Sequence, residues 1–226
     1  VKLRDIVLLA HPKDNRGLLK GVVDGTIKAP KTIESKLAGG EKASKVVGEM
    51  LSENRLGYMA ALKNIRNALE TGITDRALDE WCTLISDARK VAKSRVLPFR
   101  FVDAWFAIKE LNIDHFKLQK VKDALNAAIV ASAQNLDFVN SDEKVALIID
   151  QSGSMGGRGY SWFGGSSEGS DPWDHAIILA ATVYTAFPRG NVVVYKFSGH
   201  CEKCDFGDMS PLDIIENTPH DGGSTY

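Results

Sequence analysis

The chain has 226 residues, 44% hydrophobic and 25% charged, with a net charge of −1, which is ordinary for a globular protein and leaves room for two modest cores. No stretch approaches the roughly 18 apolar residues of a membrane span, and no basic-then-apolar leader opens the chain, although Val1 instead of Met leads us to expect a missing N-terminal segment. Cys82, Cys201 and Cys204 are too few for a disulfide scaffold, and the odd count favours a reducing, cytoplasmic setting.

In chain order, Leu3–Ala10 reads as a short apolar helix stopped by His11-Pro12, and Gly39-Gly40 marks a further break. Ala43 to Leu51 has helical spacing through Val46, Val47, Met50 and Leu51. Tyr58 to Leu69 repeats it, with Met59, Leu62, Ile65, Ala68 and Leu69 on one stripe. Thr74-Asp75 caps a helix predicted to run to about Lys93, with Trp81, Leu84, Ile85 and Ala88 inward. Pro98 precedes a helix from Phe101 to Leu111, and a last one runs from about Asp114 to Leu136. This succession of short helices predicts a HEAT-like helical-repeat module, without a fixed sequence period.

At Lys144 the pattern changes. Val145–Ile149 is a short continuous apolar run, rich in β-branched residues, expected as a parallel strand buried on both faces. A Gly-rich stretch follows to Ser170, then a largely apolar helix from Trp173 to Phe187, a strand from Asn191 to Ser198, a returning strand near Cys201 to Phe206, and a helix from Ser210-Pro211 to about Asn217. Strand, helix, strand, helix implies a doubly wound, Rossmann-like α/β domain. The boundary is therefore set between residues 1–140 and 141–226. Charge divides at the same place: 23 Lys/Arg against 17 Asp/Glu in the first part, 5 against 12 in the second. A basic part suits polyanions and an acidic part suits cations.

The densest chemistry lies at Asp150-Gln151-Ser152-Gly153-Ser154. A carboxylate ends a parallel strand, where open α/β folds form their ligand crevice. Two hydroxyls follow at spacings of two and four. Oxygens of this kind suit Mg²⁺, with Ca²⁺ or Mn²⁺ as alternatives, and so few anions leave a cation able to capture an outside carboxylate or phosphate. A metal-free Ser/Gly turn is the plainer reading of the same residues.

The Asp-x-Ser-x-Ser spacing after a first strand resembles the metal-ion-dependent adhesion site of von Willebrand A domains. That resemblance implies a further Thr ligand from a later loop. His220-Asp-Gly-Gly-Ser-Thr-Tyr226 fits that loop, with Thr225 as the ligand and Ser224 as the competing register. The family also uses a later Asp and later strands, so a partial A domain is expected, either a fragment or one completed by another chain. Between metal loop and helix, Tyr160, Trp162 and Phe163 either belong to a connector or stack on a partner.

Three stretches of the first part resemble the TROVE module of the Ro autoantigen family: Leu3–Lys13, Leu56–Asn67 and Ser94–Phe101. Their order, immediately before an A domain, is the architecture of that family. The resemblance implies a non-catalytic ribonucleoprotein that binds small non-coding and misfolded RNAs. His11, beside Pro12 and Lys13, matches a family histidine at an RNA-contacting loop; helix capping is its plainer role. Lys63 and Arg66 share a helix face, and Arg89, Lys90, Lys93 and Arg95 form a basic cluster that fits phosphates or is simply a solvated face. Arg100, Asn64 and Asn67 are undecided between structure and RNA.

Cys201-Glu-Lys-Cys204 lacks the second ligand pair of a zinc site and reads as free thiols near a hairpin. No phosphate-binding Gly loop or catalytic triad is present, and Ser152 and Ser154 have no placed base, so no enzyme activity is expected. The alternative function is a metal-dependent protein-interaction or assembly module in a larger particle.

Overall fold

Apolar spacing and local caps generate most of the helices. In the computed structural model the described residues are 3–10, 16–26, 32–135, 144–156, 172–188 and 190–223. They divide between two compact units, Val1–Glu41 and Lys42–Tyr226. The first contains α1 (Leu3–Ala10), α2 (Arg16–Val23) and α3 (Ile33–Ala38), and α1 packs on α2. Neither α2 nor α3 was expected. Gly17 and Gly21 lower the helix propensity of α2, and α3 is a six-residue turn and a half, begun by the Thr32 hydroxyl accepting from the Ser35 N–H.

The second unit begins with α4 (Ala43–Ser52), α5 (Tyr58–Glu70), α6 (Asp75–Ser86), α7 (Ala88–Ser94), α8 (Pro98–Phe106) and α9 (His115–Ser132). α9 is the central helix, packed on α6, α7 and α8, and it buries Val121, Leu125, Ala128 and Ile129 completely. Trp81 is also fully buried and donates its indole N–H to the Ala61 carbonyl at 3.0 Å, so the one polar atom of this large side chain is satisfied. The single helix expected over 75–93 is two. Asp87 leaves helical geometry, and its carboxylate accepts from the Arg89 and Lys90 N–H groups, which restarts the chain as α7. Ala88, expected inward, is exposed, and Leu84 is only half-buried. α8 starts earlier than expected because Pro98 occupies its first turn, and it ends at Phe106 instead of Leu111. α9 continues into a short 3₁₀ turn, Ala133–Asn135; its expected end at Leu136 lies outside the described residues.

β1 (Val145–Asp150), α10 (Pro172–Ala186), β2 (Val192–Phe197), β3 (Cys201–Cys204) and α11 (Pro211–Asn217) follow. β1 and β2 pair in parallel, Val145 opposite Val192 and Asp150 opposite Phe197, while β3 returns antiparallel along β2. The result is a small mixed sheet of order β1-β2-β3. The expectation that β1 is buried on both faces is not met. α10 covers one face, and Ile149 is buried there, but Ile148 is 67% exposed and Ala146 and Val193 are open on the other face. Successive strand residues point to opposite faces, so one covering helix buries only alternate positions.

α10 also packs on α8 and α9, and α11 on α9. Glu216 of α11 accepts from the Trp105 indole N–H at 2.8 Å and from Lys122 Nζ at 3.0 Å. Lys122 also donates to Asp213 at 2.7 Å, and the Asn126 side chain accepts from the Leu212 N–H. Burial opposes the Lys122 charge, but the hydrogen bonds to Asp213 and Glu216 prevail and raise its pKa. The hydrogen bonds from Lys122 and then Ser210 hold Asp213 below the usual carboxylate range. The helical array and the α/β segment of this unit are thus joined by a polar lock as well as by apolar packing.

Candidate functional site

The parallel pairing of β1 with β2 carries the chain to Asp150 at the carboxyl end of β1, where Gln151 N–H still bonds to the Phe197 carbonyl. The chain then turns. Asp150 Oδ1 accepts from the Ser152 N–H at 2.8 Å, and the Ser152 and Ser154 hydroxyl oxygens are 3.1 Å apart. Three expected metal ligands, Asp150, Ser152 and Ser154, are therefore gathered in one loop of hard oxygens, the donor type that suits small divalent cations. Among the described residues no group of three His, Cys, Asp or Glu forms a metal-ready cluster, so a cation here would rest on one carboxylate and neutral hydroxyls.

A second loop lies against the first. Gly223 bridges to Ser152 in parallel, and its carbonyl accepts from the Gly153 N–H at 2.7 Å. The approach requires small residues: a Cβ on Gly153 would sit 3.2 Å from the Gly222 carbonyl oxygen, and one on Gly223 would come within 2.5 Å of the Ser198 hydroxyl. Gly222 adopts φ +70, a left-handed conformation that glycine takes at little cost. Asp221 closes this loop on itself, accepting from the Gly223 N–H at 2.6 Å and from the Ser198 hydroxyl at 3.3 Å. Thr225 and Ser224, the competing ligands of this loop, lie outside the described residues, as do Tyr160, Trp162 and Phe163.

His220 is a residue that the spacing did not single out. Its Nε2 lies 2.8 Å from the Ser152 carbonyl; a carbonyl only accepts, so Nε2 carries the proton. The ring packs 5.5 Å from Trp173 at the start of α10. On its other side the chain passes so close that a Cβ on Gly156 would fall 2.6 Å from ring atoms. Gly156, which falls within the Gly-rich stretch after the oxygen-rich loop, provides the clearance for this ring. Gln151 is 1% exposed, and its carboxamide has no hydrogen-bond partner among the described residues.

The basic residues fall into two groups. Arg89, Lys90 and Lys93 are exposed along α7, which is anchored beneath by fully buried Val91. Arg95 ends that helix in the left-handed region, at φ 53. Lys90 lies 4.0 Å from Asp87; Arg89, Lys93 and Arg95 have no ion-pair partner among the described residues. On α5, Lys63 is exposed and Arg66 bonds to Glu70 at 3.0 Å. Both border a groove of about 360 Å³ between α5 and α8, together with Asn67 and Arg100. Asn64 instead turns to its own helix, donating to the Ala60 carbonyl. His11 and Lys13 lie outside the described residues.

Cys201 and Cys204 are free thiols at the two ends of β3, and Cys82 is also free. Burial, then the nearby Asp79 carboxylate, pushes the Cys82 thiol up to about 11, so it stays protonated and unreactive at neutral pH. Among the described residues no helix is long and apolar enough to cross a membrane.

A helical array running into a small mixed sheet, with an oxygen-rich loop at the end of its first strand, is the class these elements define. Comparison with known proteins places it further: residues 25–153 match the TROVE domain, and the chain belongs to the TROVE domain family. A curated relative, telomerase protein component 1 of Mus musculus, is 36% identical over 86 residues, 38% of this chain and 3% of that protein. Among solved structures, the Deinococcus radiodurans Ro (RSR) protein has a similar fold, with a TM-score of 0.53 at 15% identity, covering 100% of this chain and 51% of that one. The chain thus spans about half of the solved chain and a small part of the curated relative. The TROVE match extends through β1 as far as Gly153, so it includes the first part of the oxygen-rich loop.

Proposed function

We propose that this chain is a non-catalytic RNA-binding protein of a Ro-like ribonucleoprotein, contacting small non-coding and misfolded RNAs through its helical array. The TROVE match over residues 25–153 carries this reading. The exposed cations of α7 support it, because solvent-facing Lys and Arg side chains neutralise phosphates and release their counterions. Binding of this chain to a structured RNA with a single-stranded 3′ end is expected at micromolar affinity or tighter. It should weaken steeply across a salt series and persist in EDTA. A folded chain that binds no such RNA overturns the reading.

In the same proposal the α/β segment is a partial von Willebrand A domain whose Asp150, Ser152, Ser154 and Thr225 hold a divalent cation, with Mg²⁺ preferred over Ca²⁺ or Mn²⁺. A bound cation would supply an open, under-neutralised site for an outside carboxylate. This single-carboxylate donor set also favours a second reading, a metal-dependent protein contact or assembly module, which EDTA would abolish. His220 is assigned the role of holding the Ser152 backbone, and so the loop, in place. Calorimetric titration with Mg²⁺ or Mn²⁺ is expected to show binding that Asp150→Ala removes. His220→Ala should weaken that binding by roughly ten- to a hundredfold, as loss of an outer support does in other metal sites. Equal affinity in His220→Ala would remove the histidine from the site.

A further inference from the structure

Gln151 stands between Asp150 and Ser152 and is 1% exposed. Its backbone is satisfied, because the N–H donates to the Phe197 carbonyl at 2.9 Å. Its side chain is not: neither Oε1 nor Nε2 has a hydrogen-bond partner among the described residues. Strand alternation explains the burial. Asp150 and Ser152 point to one side of the chain, and Ile149 and Gln151 to the other, the side that α10 covers. A carboxamide there takes two N–H donors and an acceptor oxygen out of water, and each group left unanswered is costly. A methionine fills the same length of side chain without that cost. Native proteins satisfy the great majority of such groups, so an exception beside a functional loop points to a second arrangement in which the amide is answered.

The loop around Gln151 is bonded to itself. Asp150 Oδ1 accepts from the Ser152 N–H at 2.8 Å, and the Ser152 and Ser154 hydroxyl oxygens lie 3.1 Å apart. These are the oxygens assigned above to a divalent cation. Turning them to a cation loosens the contacts they now make with one another, on both sides of Gln151, and so moves the backbone that carries its amide. We propose that Gln151 is a positioning residue of this loop: its carboxamide costs stability while the loop is bonded to itself, and it gains hydrogen-bond partners when Asp150 and Ser152 turn to a cation. Amide burial and cation affinity are then coupled. This inference rests on the cation-site reading and adds to it a residue that acts through its two neighbours.

The test compares wild type with Gln151→Met in the whole chain, by thermal melting in EDTA and in saturating Mg²⁺ and by calorimetric titration with Mg²⁺ and Mn²⁺. In EDTA, Gln151→Met is expected to melt about 2–4 °C above wild type, because the unanswered groups are gone and the volume is kept. Its affinity for either cation is expected to fall about tenfold, as on loss of an outer support of a metal site. Its melting advantage should therefore close in saturating Mg²⁺. An unchanged or lower melting temperature in EDTA shows an amide already answered in the self-bonded loop and overturns the inference. A higher melting temperature with unchanged affinity separates the amide from the cation and overturns it as well. Gln151→Leu is the second variant where Met disturbs the packing, and failure of both to fold also overturns the inference, since the amide is then needed without a cation. A wild-type chain that binds neither cation removes the cation-site reading, and this inference with it.

Discussion

Reversing three charges on α7, with Arg89→Glu, Lys90→Glu and Lys93→Glu together, is expected to lower RNA affinity by about a hundredfold at moderate salt. The same change should flatten the dependence of log affinity on log salt by about three, one for each cation lost. These side chains are exposed, and the cap that starts α7 uses the Arg89 and Lys90 backbone N–H groups, with Asp87 as acceptor. The cap therefore survives the substitution, and Val91 still anchors the helix from below. Arg95 is left unchanged because its left-handed backbone ends the helix. Far-ultraviolet circular dichroism establishes that the variant is folded, and anisotropy across a salt series gives affinity and slope together. Unchanged affinity in a folded variant would take α7 out of the interface.

Glu216→Ala is expected to destabilise the second unit by about 2 kcal/mol, lowering the melting temperature by roughly 4–8 °C. One carboxylate answers three donors here. The Trp105 indole and Lys122 bond to it directly, and Lys109 lies 3.9 Å away. Trp105 is 5% exposed, so its N–H has little access to water as a replacement partner, and an unanswered buried donor is costly. Glu216→Gln keeps an acceptor for the indole and should lose less. The lock also sets a pH dependence. Asp213 has a depressed pKa, so its contribution is present at neutral pH and is lost as pH falls through that folded value. Lys122 has a raised pKa, so its contribution is present at neutral pH and is lost as pH rises through its folded value. The Lys122→Met variant, which removes the Lys122 effect and the larger cause of the Asp213 one, should melt lower than wild type at neutral pH, with the gap narrowing in strong acid. An unchanged melting temperature in Glu216→Ala would show that the lock does not stabilise the unit.

Much of the fold was legible because it depends on residues near one another in the chain. The stripe Leu62, Ile65, Ala68 and Leu69 specified α5, the Thr74 cap placed the start of α6, and the continuous apolar run before Asp150 specified β1. The oxygen spacing at Asp150, Ser152 and Ser154 marked the loop, since two-residue steps after a strand end bring those side chains to one turn. Where local signals competed, the reading failed. Asp87 looked like one more polar position of a continuous helix, yet its carboxylate accepts two backbone N–H groups and splits that helix in two. The glycines of α2 hid a helix that its pattern alone does not predict.

The sequence by itself determined the order of helices and strands, the change from a basic helical part to an acidic α/β part, and the oxygen-rich loop, because each is written in residues a few positions apart. Only the tertiary structure decided which face of β1 is covered, that the α5 cations border an apolar groove with Arg100 of α8, that Glu216 answers Trp105 and Lys122, and that His220 lies over Gly156 and bonds to the Ser152 carbonyl. The partners in each of these last three relations come from separate elements, and spacing along the chain carries no information about which elements will meet; packing of α8, α9 and α11, and the return of the chain after α11 to the end of β1, bring them together.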